Sequence, residues 1–596
     1  MSIYSIIKRS LGLLNPREKN LIALAVGFQL FLNVLDLLGI LCLSLISYLL
    51  TNHHPPRITF LQHVSYVNSD NFVIFLICFT ISLFSIKGVI APVFFSKVMH
   101  HLSKIAVRVS MEVTRRFFTK PTSFQQQYKS QESIYSISQG LTSATVEVFG
   151  NTVILLSEMA LLLGLITIMA YSNWILTIIN IVLFGFGLGL LHKIIGKRIY
   201  DNSNERIRSV LASNSILLDM IDAYRELVIY KKMDFFITEF LIFKKLESKT
   251  ASKGTVLNIL PKYVFEVIFY IISGVVLLFL YLFSDPTRAF SLFVLFIATG
   301  SRVLPSILRI QSALSGIRAS QPLGDRSFGL IKDLNMEEVS SFHYDYYGSK
   351  LPYKHLFEIK SLKFNYPNKP EWQLEIDNLT IKRNLKIAIV GPSGSGKSTF
   401  IDLLLGLLQP TEGEILFSNA EKFNNHSKYL NRVSYVPQQI AILNRTIKEN
   451  IAIGCTVDEI DEKKVMQCLE KAGLLNFVAS LANGINEVLN EKGSNLSGGQ
   501  KQRLGFARAL YFDPNVLFLD ESTSSLDSES ELNISKAIAN LESDVTVISI
   551  AHRLSTIKNF DLIIYMENGR ISEIGTFKEL RDKSTSFNLQ AKLMEL

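Results

Sequence analysis

Six stretches of the chain consist almost wholly of apolar residues, and each is about long enough to cross a bilayer. Residues 22–50, IALAVGFQLFLNVLDLLGILCLSLISYLL, carry one charge, Asp36. As a helix this stretch reaches about 44 Å at about 1.5 Å per residue, enough to span the hydrocarbon with tilt. Similar runs lie at 72–96, 148–171, 174–192, 263–283 and 289–309. Six runs of this apolarity are hard to bury in a water-soluble core, so the pattern predicts six membrane spans. Little more than Tyr171-Ser172-Asn173 separates the third and fourth, which predicts a tight hairpin.

The polar stretches between the spans set an orientation. Between spans two and three stand Lys97, Lys104, Arg108, Arg115, Arg116, Lys120 and Lys129. Between spans four and five stand twelve more positives, from Lys193 to Lys253. The opposite side offers Arg57 and Arg288. A bias of 19 to 2 predicts that both long loops and both termini are cytoplasmic. The loops are too polar for lipid and too long for turns, so they read as helices continuing the spans into the cytoplasm. The amphipathic start, MSIYSIIKRSLGLLNPREKN, reads as an interfacial helix over 1–20 rather than a signal peptide. The membrane domain is expected over 21–334.

After about residue 312 the pattern changes. Residues 335–354, NMEEVSSFHYDYYGSKLPYK, are polar, contain Gly348 and Pro352, and read as a linker. From 355 to 596 short β-type runs alternate with helical patterns, as in 386–390, 516–519 and 545–549. This is the signature of an α/β domain with a largely parallel sheet. The fold class expected is thus an α-helical six-span transmembrane domain plus an α/β phosphate-loop ATPase domain.

Composition agrees. The 596 residues are 48% hydrophobic and 19% charged, which excludes a disordered chain and argues against a wholly soluble one. The net charge of +9 fits basic loops beside a membrane better than a nucleic-acid partner. Cys42, Cys78, Cys455 and Cys468 are scattered without metal-ligand spacing.

Three motifs carry the chemistry. IAIVGPSGSGKSTF (387–400) is a strand, a glycine loop and a helix start. Gly391, Gly394 and Gly396 let the backbone curl so that the amides of Ser393, Ser395 and their neighbours, through Thr399, face phosphate oxygens. The following helix adds its positive end. Lys397 is placed for the β- and γ-phosphates of ATP, and Ser398 for Mg²⁺. VLFLDES (516–522) is an apolar strand ending in two acids: Asp520 suits Mg²⁺, and Glu521 suits polarising the attacking water. NLSGGQKQRLGFARAL (495–510) is a glycine turn opening a helix, a second anion site built on Ser497, Gly498, Gly499 and Gln500.

LSGGQ, about a hundred residues after the phosphate loop and shortly before Asp520, resembles the signature of an ABC transporter ATPase. The resemblance covers essentially the whole chain, because six spans followed by one such domain is the layout of an ABC exporter half-transporter. It implies that Tyr366 in KFNYP stacks on adenine and that Gln438 in YVPQQ senses Mg²⁺. It implies that Asp527 in SSLD faces a partner subunit and that His552 in AHRL reaches the γ-phosphate. EKGSNLSGGQ departs from the pattern at Asn490, where glycine is common, which puts the local turn in question. With one phosphate loop and one signature per chain, the resemblance implies a homodimer with two identical ATP sites. It also implies a multi-pass protein of the bacterial inner membrane.

Ionisable residues in membrane spans are costly and draw functional suspicion. Lys87, Lys262 and Arg302 lie in or beside spans two, five and six, with Glu147, Glu158 and Glu266 as possible partners. They could be internal ion pairs, or could line a cavity for an anionic substrate. LPKYVFEVIFY (260–270), GSRVLPSILRI (300–310), LDLLGI (35–40) and DAYRELVIY (222–230) resemble PglK-type lipid-linked oligosaccharide flippases. That implies a polyprenyl-pyrophosphate-linked glycan as cargo, with membrane lipid and a second copy of the chain as partners and no nucleic acid. No peptidase domain precedes the first span, which disfavours a self-processing bacteriocin exporter. An exporter of a peptide, lipid or drug shares every ATPase motif. A nucleic-acid-processing ABC ATPase shares the motifs but not the spans, and an ATP-gated channel or scaffold has less use for Glu521.

Overall fold

The computed structural model describes residues 3–51, 70–120, 122–125, 127–172, 174–283, 286–334, 355–366, 369–417, 421–422, 433–520, 536–539, 541, 544–551 and 558–593. They form two compact units, Met1–Lys120 with Gln127–Glu338, and Pro121–Gln126 with Val339–Leu596. The linker expected at 335–354 lies outside the described residues.

The first unit is helical. Its main elements are α1 (Ile3–Gly12), α2 (Pro16–Thr51), α3 (Asp70–Thr119), α4 (Val148–Ser172), α5 (Trp174–Asp222), α6 (Met233–Phe283) and α7 (Pro286–Asp333). Two π-helical turns, Ser136–Gly140 and Ser143–Glu147, lead into α4. Among the described residues, Pro16–Leu43, Asn71–Thr119, Ser130–Ile168 and Met233–Phe279 are long and apolar enough to cross a membrane. The fourth and sixth apolar runs lie in α5 and α7, unbroken helices of 49 and 48 residues. Helices of this length reach about 75 Å, roughly twice a bilayer, and the basic stretches between the apolar runs are largely helical and continuous with them.

Lipid tails are as apolar as leucine, so helices in a membrane associate by close packing rather than by hydrophobic drive. The glycines show where that packing is tightest. A Cβ on Gly39 would lie 2.6 Å from the Phe84 ring, one on Gly164 2.5 Å from Leu37, and one on Gly300 2.5 Å from Phe269. The amphipathic α1 buries Ile6 against Val148 and Ile317. Arg108 on α3 then clamps the turn after α1, donating to both carboxylate oxygens of Glu18 (2.8 and 2.7 Å) and to the Leu13 carbonyl (2.9 Å).

The second unit is built on ten strands: β1 (His355–Tyr366), β2 (Lys369–Lys382), β3 (Lys386–Val390), β4 (Glu412–Phe417), β5 (Glu421–Lys422), β6 (Val433–Val436), β7 (Val516–Asp520), β8 (Thr546–Ile550), β9 (Leu562–Glu567) and β10 (Arg570–Gly575). Their order is β5-β4-β1-β2-β10-β9-β3-β8-β7-β6. The stretch from β9 to β6 is parallel, as the alternation of strands and helices predicts. Strands β1, β2, β4 and β5 add an antiparallel wing.

The parallel part is buried on both faces. Along β3, Ile387 and Ile389 join one core with Phe400, Leu403 and Leu404 of α8 (Lys397–Leu404). Ala388 and Val390 join the other, with Leu504 and Phe506 of α9 (Gly498–Tyr511). Alternate residues of one strand thus serve two layers of helix, which is why the strand reads as a continuous apolar run.

Candidate ATP site

The carboxyl ends of four adjacent parallel strands carry the motif residues. β3 ends at Val390, directly before Gly391; β8 ends at Ile550, β7 at Asp520, and β6 at Val436, two residues before Gln438. The register keeps these ends level, with Ile550 beside Ile389 on one side and beside Asp520 on the other. Ligands of open α/β sheets bind outside such strand ends.

The loop after β3 is shaped by its glycines. A Cβ on Gly391 would collide with the Met566 carbonyl oxygen, and Gly394 (φ 79°) and Gly396 (φ 101°) take left-handed backbone that L side chains rarely adopt. Gly396 is the N-cap of α8, so the first amides of the helix point into the loop. Lys397 is buried and folds back, its Nζ donating to the Gly391 and Pro392 carbonyls, each at 2.9 Å. The Ser395 hydroxyl is buried with no hydrogen-bond partner among the described residues. A curled loop with a waiting hydroxyl and an ammonium held on weak carbonyl acceptors fits a polyphosphate. Ser398 is exposed at the start of α8, and its hydroxyl with the Asp520 carboxylate gives the hard oxygen donors that Mg²⁺ takes.

Asp520 is almost fully buried. The Tyr435 hydroxyl on β6 donates to its Oδ2 at 3.3 Å. Burial, then the charges of Asp520 and Asp402, push the Tyr435 phenol well above its usual range. Burial, and then the charge of Asp520, raise the Asp402 carboxyl to about 6. Neither Tyr435 nor Asp402 stood out in the sequence. A tyrosine on a short apolar strand reads as core, although Asp402, one helical turn after Ser398, could have been placed near it. Gln438 is exposed just beyond β6.

The signature turn is self-capped. The Ser497 Oγ accepts from the Gln500 backbone amide (3.2 Å), and the Gln500 side chain accepts from the Ser497 amide (2.8 Å), a complete capping box. Accepting that bond leaves the Ser497 hydroxyl proton available for a second partner, next to the positive end of a helix. The departure at Asn490 has a simple resolution. The left-handed positions of this turn are Lys492 (φ 54°) and Gly493 (φ 62°), so Asn490 does not need to be glycine.

Tyr366 ends β1 half-buried. Its hydroxyl pairs with Thr399 Oγ1 at 3.1 Å, and its ring lies 5.9 Å from Trp372 and 4.9 Å from Phe364. Trp372, which the sequence did not single out, also packs beside Gly396. Glu521, Asp527 and His552 lie outside the described residues.

In the membrane unit Lys87 is bound to Asp36, a pairing not among the partners expected for it. Lys262 is more than half exposed and 3.9 Å from Glu266. Glu158 is taken by Arg309, which donates to both its oxygens at 2.6 and 3.1 Å. Glu147 accepts from Ser143 and Ser320. The Arg302 side chain lies outside the described residues.

Residues 374–524 match the ABC transporter family. The chain is 30% identical over 499 residues to an ATP-dependent lipid A-core flippase of Hahella chejuensis, covering 82% of this chain and 83% of that protein. It is 28% identical to the protein of the same description from Ralstonia nicotianae, over 81% of both chains. An ABC multidrug transporter of Emericella nidulans, atrD, is 42% identical, but over only 39% of this chain and 18% of its own. Among solved structures, a bacterial Atm1-family ABC exporter with ATP bound superimposes with a TM-score of 0.76 at 20% identity, over 96% of this chain and 99% of that one. With 82% of the chain matched to such a relative, apolar helices and ATPase sheet together, this protein belongs to the ABC transporters as an exporter half-transporter, an integral membrane protein that binds ATP and couples its hydrolysis to transport.

Proposed function

We propose that the protein works as a homodimer that flips an anionic amphipathic lipid, a polyprenyl-pyrophosphate-linked oligosaccharide, across the bacterial inner membrane. The observation that carries a lipid cargo is the reach of the similarity. Identity to the lipid A-core flippases runs over 499 residues, whereas identity to atrD runs over 241. The shorter match is about the size of the ATPase unit, which every exporter shares, and the longer one must include the helices that handle cargo.

In this reading each ATP lies between Lys397 of one copy and Ser497 to Gly499 of the other. Lys397 leaves the Gly391 and Pro392 carbonyls for the stronger phosphate acceptors. Mg²⁺, held by Ser398, Gln438 and Asp520, would neutralise charge on the β- and γ-phosphates. Glu521 orients water, His552 contacts the γ-phosphate, Asp527 crosses to the second copy, and Tyr366 meets the adenine. Six spans follow from the apolar runs, and cytoplasmic termini from the loop charges. A pyrophosphate head group cannot cross hydrocarbon unaided, because a bare charge there costs several kcal/mol or more. Lys262 and Arg302 keep it hydrogen-bonded in a wet cavity, and Lys87 contributes through its pair with Asp36.

The test is flipping of a pyrophosphate-linked glycolipid in proteoliposomes, with Lys262→Gln and Arg302→Gln beside the wild type. Both variants should lose most flipping and keep basal ATPase. Wild-type protein that moves no such lipid would sink the cargo assignment.

A further inference from the structure

Tyr435 stands where two motifs meet. It belongs to β6, three residues before Gln438, and β6 lies parallel to β7 with Tyr435 opposite Phe518 and Val436 opposite Leu519. Its ring packs on the same core face as Phe518, Phe400 and Ile550. Strand pairing fixes its backbone and packing fixes its ring, so its hydroxyl sits at one place, 3.3 Å from Asp520 Oδ2. Asp402 on α8 lies close enough for its charge to act on the same phenol.

We propose that Tyr435 is a positioning residue: its hydroxyl, donating to Oδ2, holds the Asp520 carboxylate in the orientation that receives the metal beside Ser398. The proposal rests on the reading of Asp520 as a Mg²⁺ ligand. Metal-ligating carboxylates are themselves held by hydrogen bonds, and loss of such a partner typically weakens metal binding about 10–100-fold. Because the donor comes from β6, any shift of the Gln438 loop that moves β6 also moves the grip on Asp520.

The experiment uses the full-length protein and Mn²⁺ as probe, with Mn²⁺ affinity read by electron paramagnetic resonance at saturating ADP. ADP affinity is measured separately in EDTA. Tyr435→Phe keeps the ring and removes only the hydroxyl. It should raise the Mn²⁺ Kd about tenfold and leave ADP affinity in EDTA within about twofold of wild type. Asp520→Asn should weaken Mn²⁺ as well, and adding Tyr435→Phe to it should change nothing further. If Asp520→Asn weakens Mn²⁺ and Tyr435→Phe does not, the positioning role is overturned and Asp520 remains a ligand. If Asp520→Asn has no effect, the ligand reading itself fails, and the proposal with it. Loss of ADP binding in EDTA by Tyr435→Phe would show that the hydroxyl supports the fold rather than the metal ligand, and would also overturn the proposal.

Discussion

Lys87 on α3 is bound to the carboxylate of Asp36 on α2, with 18% of the lysine side chain and 3% of the aspartate exposed. Asp36 is the one charge in the first apolar run and Lys87 lies within the second, so each offsets the cost of the other in lipid. Asp36 Oδ1 has no further hydrogen-bond partner among the described residues, which makes the lysine's contribution large. Breaking such a pair from one side costs about 3–5 kcal/mol, because a bare charge is left behind. Lys87→Gln should therefore lower the Tm in detergent, and Lys87→Gln with Asp36→Asn should restore most of it. If the double variant also restores glycolipid flipping, Lys87 acts through the pair. If it folds but does not flip, Lys87 touches cargo.

Glu521 follows the carboxyl end of β7, next to Asp520. A base there has no part in holding nucleotide. Glu521→Gln should bind ATP normally and hydrolyse it at least about a hundredfold more slowly, on the scale of a lost general base. Purified Glu521→Gln protein with near-normal turnover would rule this role out.

The capped Ser497 turn and the Lys397 loop each offer half of a phosphate site. Ser497→Arg and Lys397→Ala homodimers should both be inactive. Mixing the two gathers both defects into one composite site and leaves the other whole, so partial ATPase should return if the sites fire independently. Cysteines placed at Ser497 and beside the phosphate loop should cross-link between copies; a bond formed solely within one copy would contradict the head-to-tail dimer.

Much of this was legible because it is local. The strand, loop and helix around Gly391 to Thr399 depend on residues within one short stretch, and the spans depend on unbroken apolar runs. The rest depends on which elements become neighbours. The antiparallel wing of β1, β2 and β4 pairs Phe357 with Ile381 and with Phe417, sixty residues further on, a pairing that no local period encodes. Lys87 and Asp36 stand 51 residues apart, and each alone is an isolated charge in an apolar run. Tyr435 is legible as core and is core; only its hydroxyl has a second task, which becomes visible when β7 is laid beside β6.

Asp402 gives a pH signature. Burial first, and the Asp520 charge second, lift its carboxyl from 3.8 to about 6. An acid whose folded pKa is raised binds its proton more tightly when folded. Its contribution is complete below the unfolded value and is lost as pH rises through the folded one. In metal-free, nucleotide-free protein, the wild type should lose stability relative to Asp402→Asn between about pH 4 and 6. The Tm difference between the two should then stay constant from pH 7 to 8. A difference that does not change with pH from 4 to 7 would show that Asp402 does not titrate there.

Arg508 on α9 and Asn450 tie the signature helix to the segment after Gln438. Arg508 donates from Nε to the Asn450 carbonyl (2.7 Å), and from Nη2 to the Ala441 carbonyl (3.0 Å) and Asn450 Oδ1 (3.3 Å). Asn450 is fully buried; its side chain accepts from the Leu443 amide and donates to the Leu443, Arg445 and Thr446 carbonyls. Gly505, one turn before Arg508, lets Ile440 approach so closely that a Cβ would lie 2.5 Å from it. Burial makes the charged guanidinium costly, since desolvation lowers its pKa, so its value lies in the geometry of its fork. Asn450→Ala should strand several buried backbone groups and cost roughly 3 kcal/mol, and Arg508→Lys, which keeps charge but not the fork, roughly 2 kcal/mol. Both act on one network, so the double variant should cost less than the sum by about 1 kcal/mol or more. Denaturant titration followed by Trp372 fluorescence in a Trp174→Phe background isolates the ATPase unit, because the chain has two tryptophans. Strictly additive losses would mean that the two residues hold separate parts of the domain and that Arg508 does not join signature helix to glutamine loop.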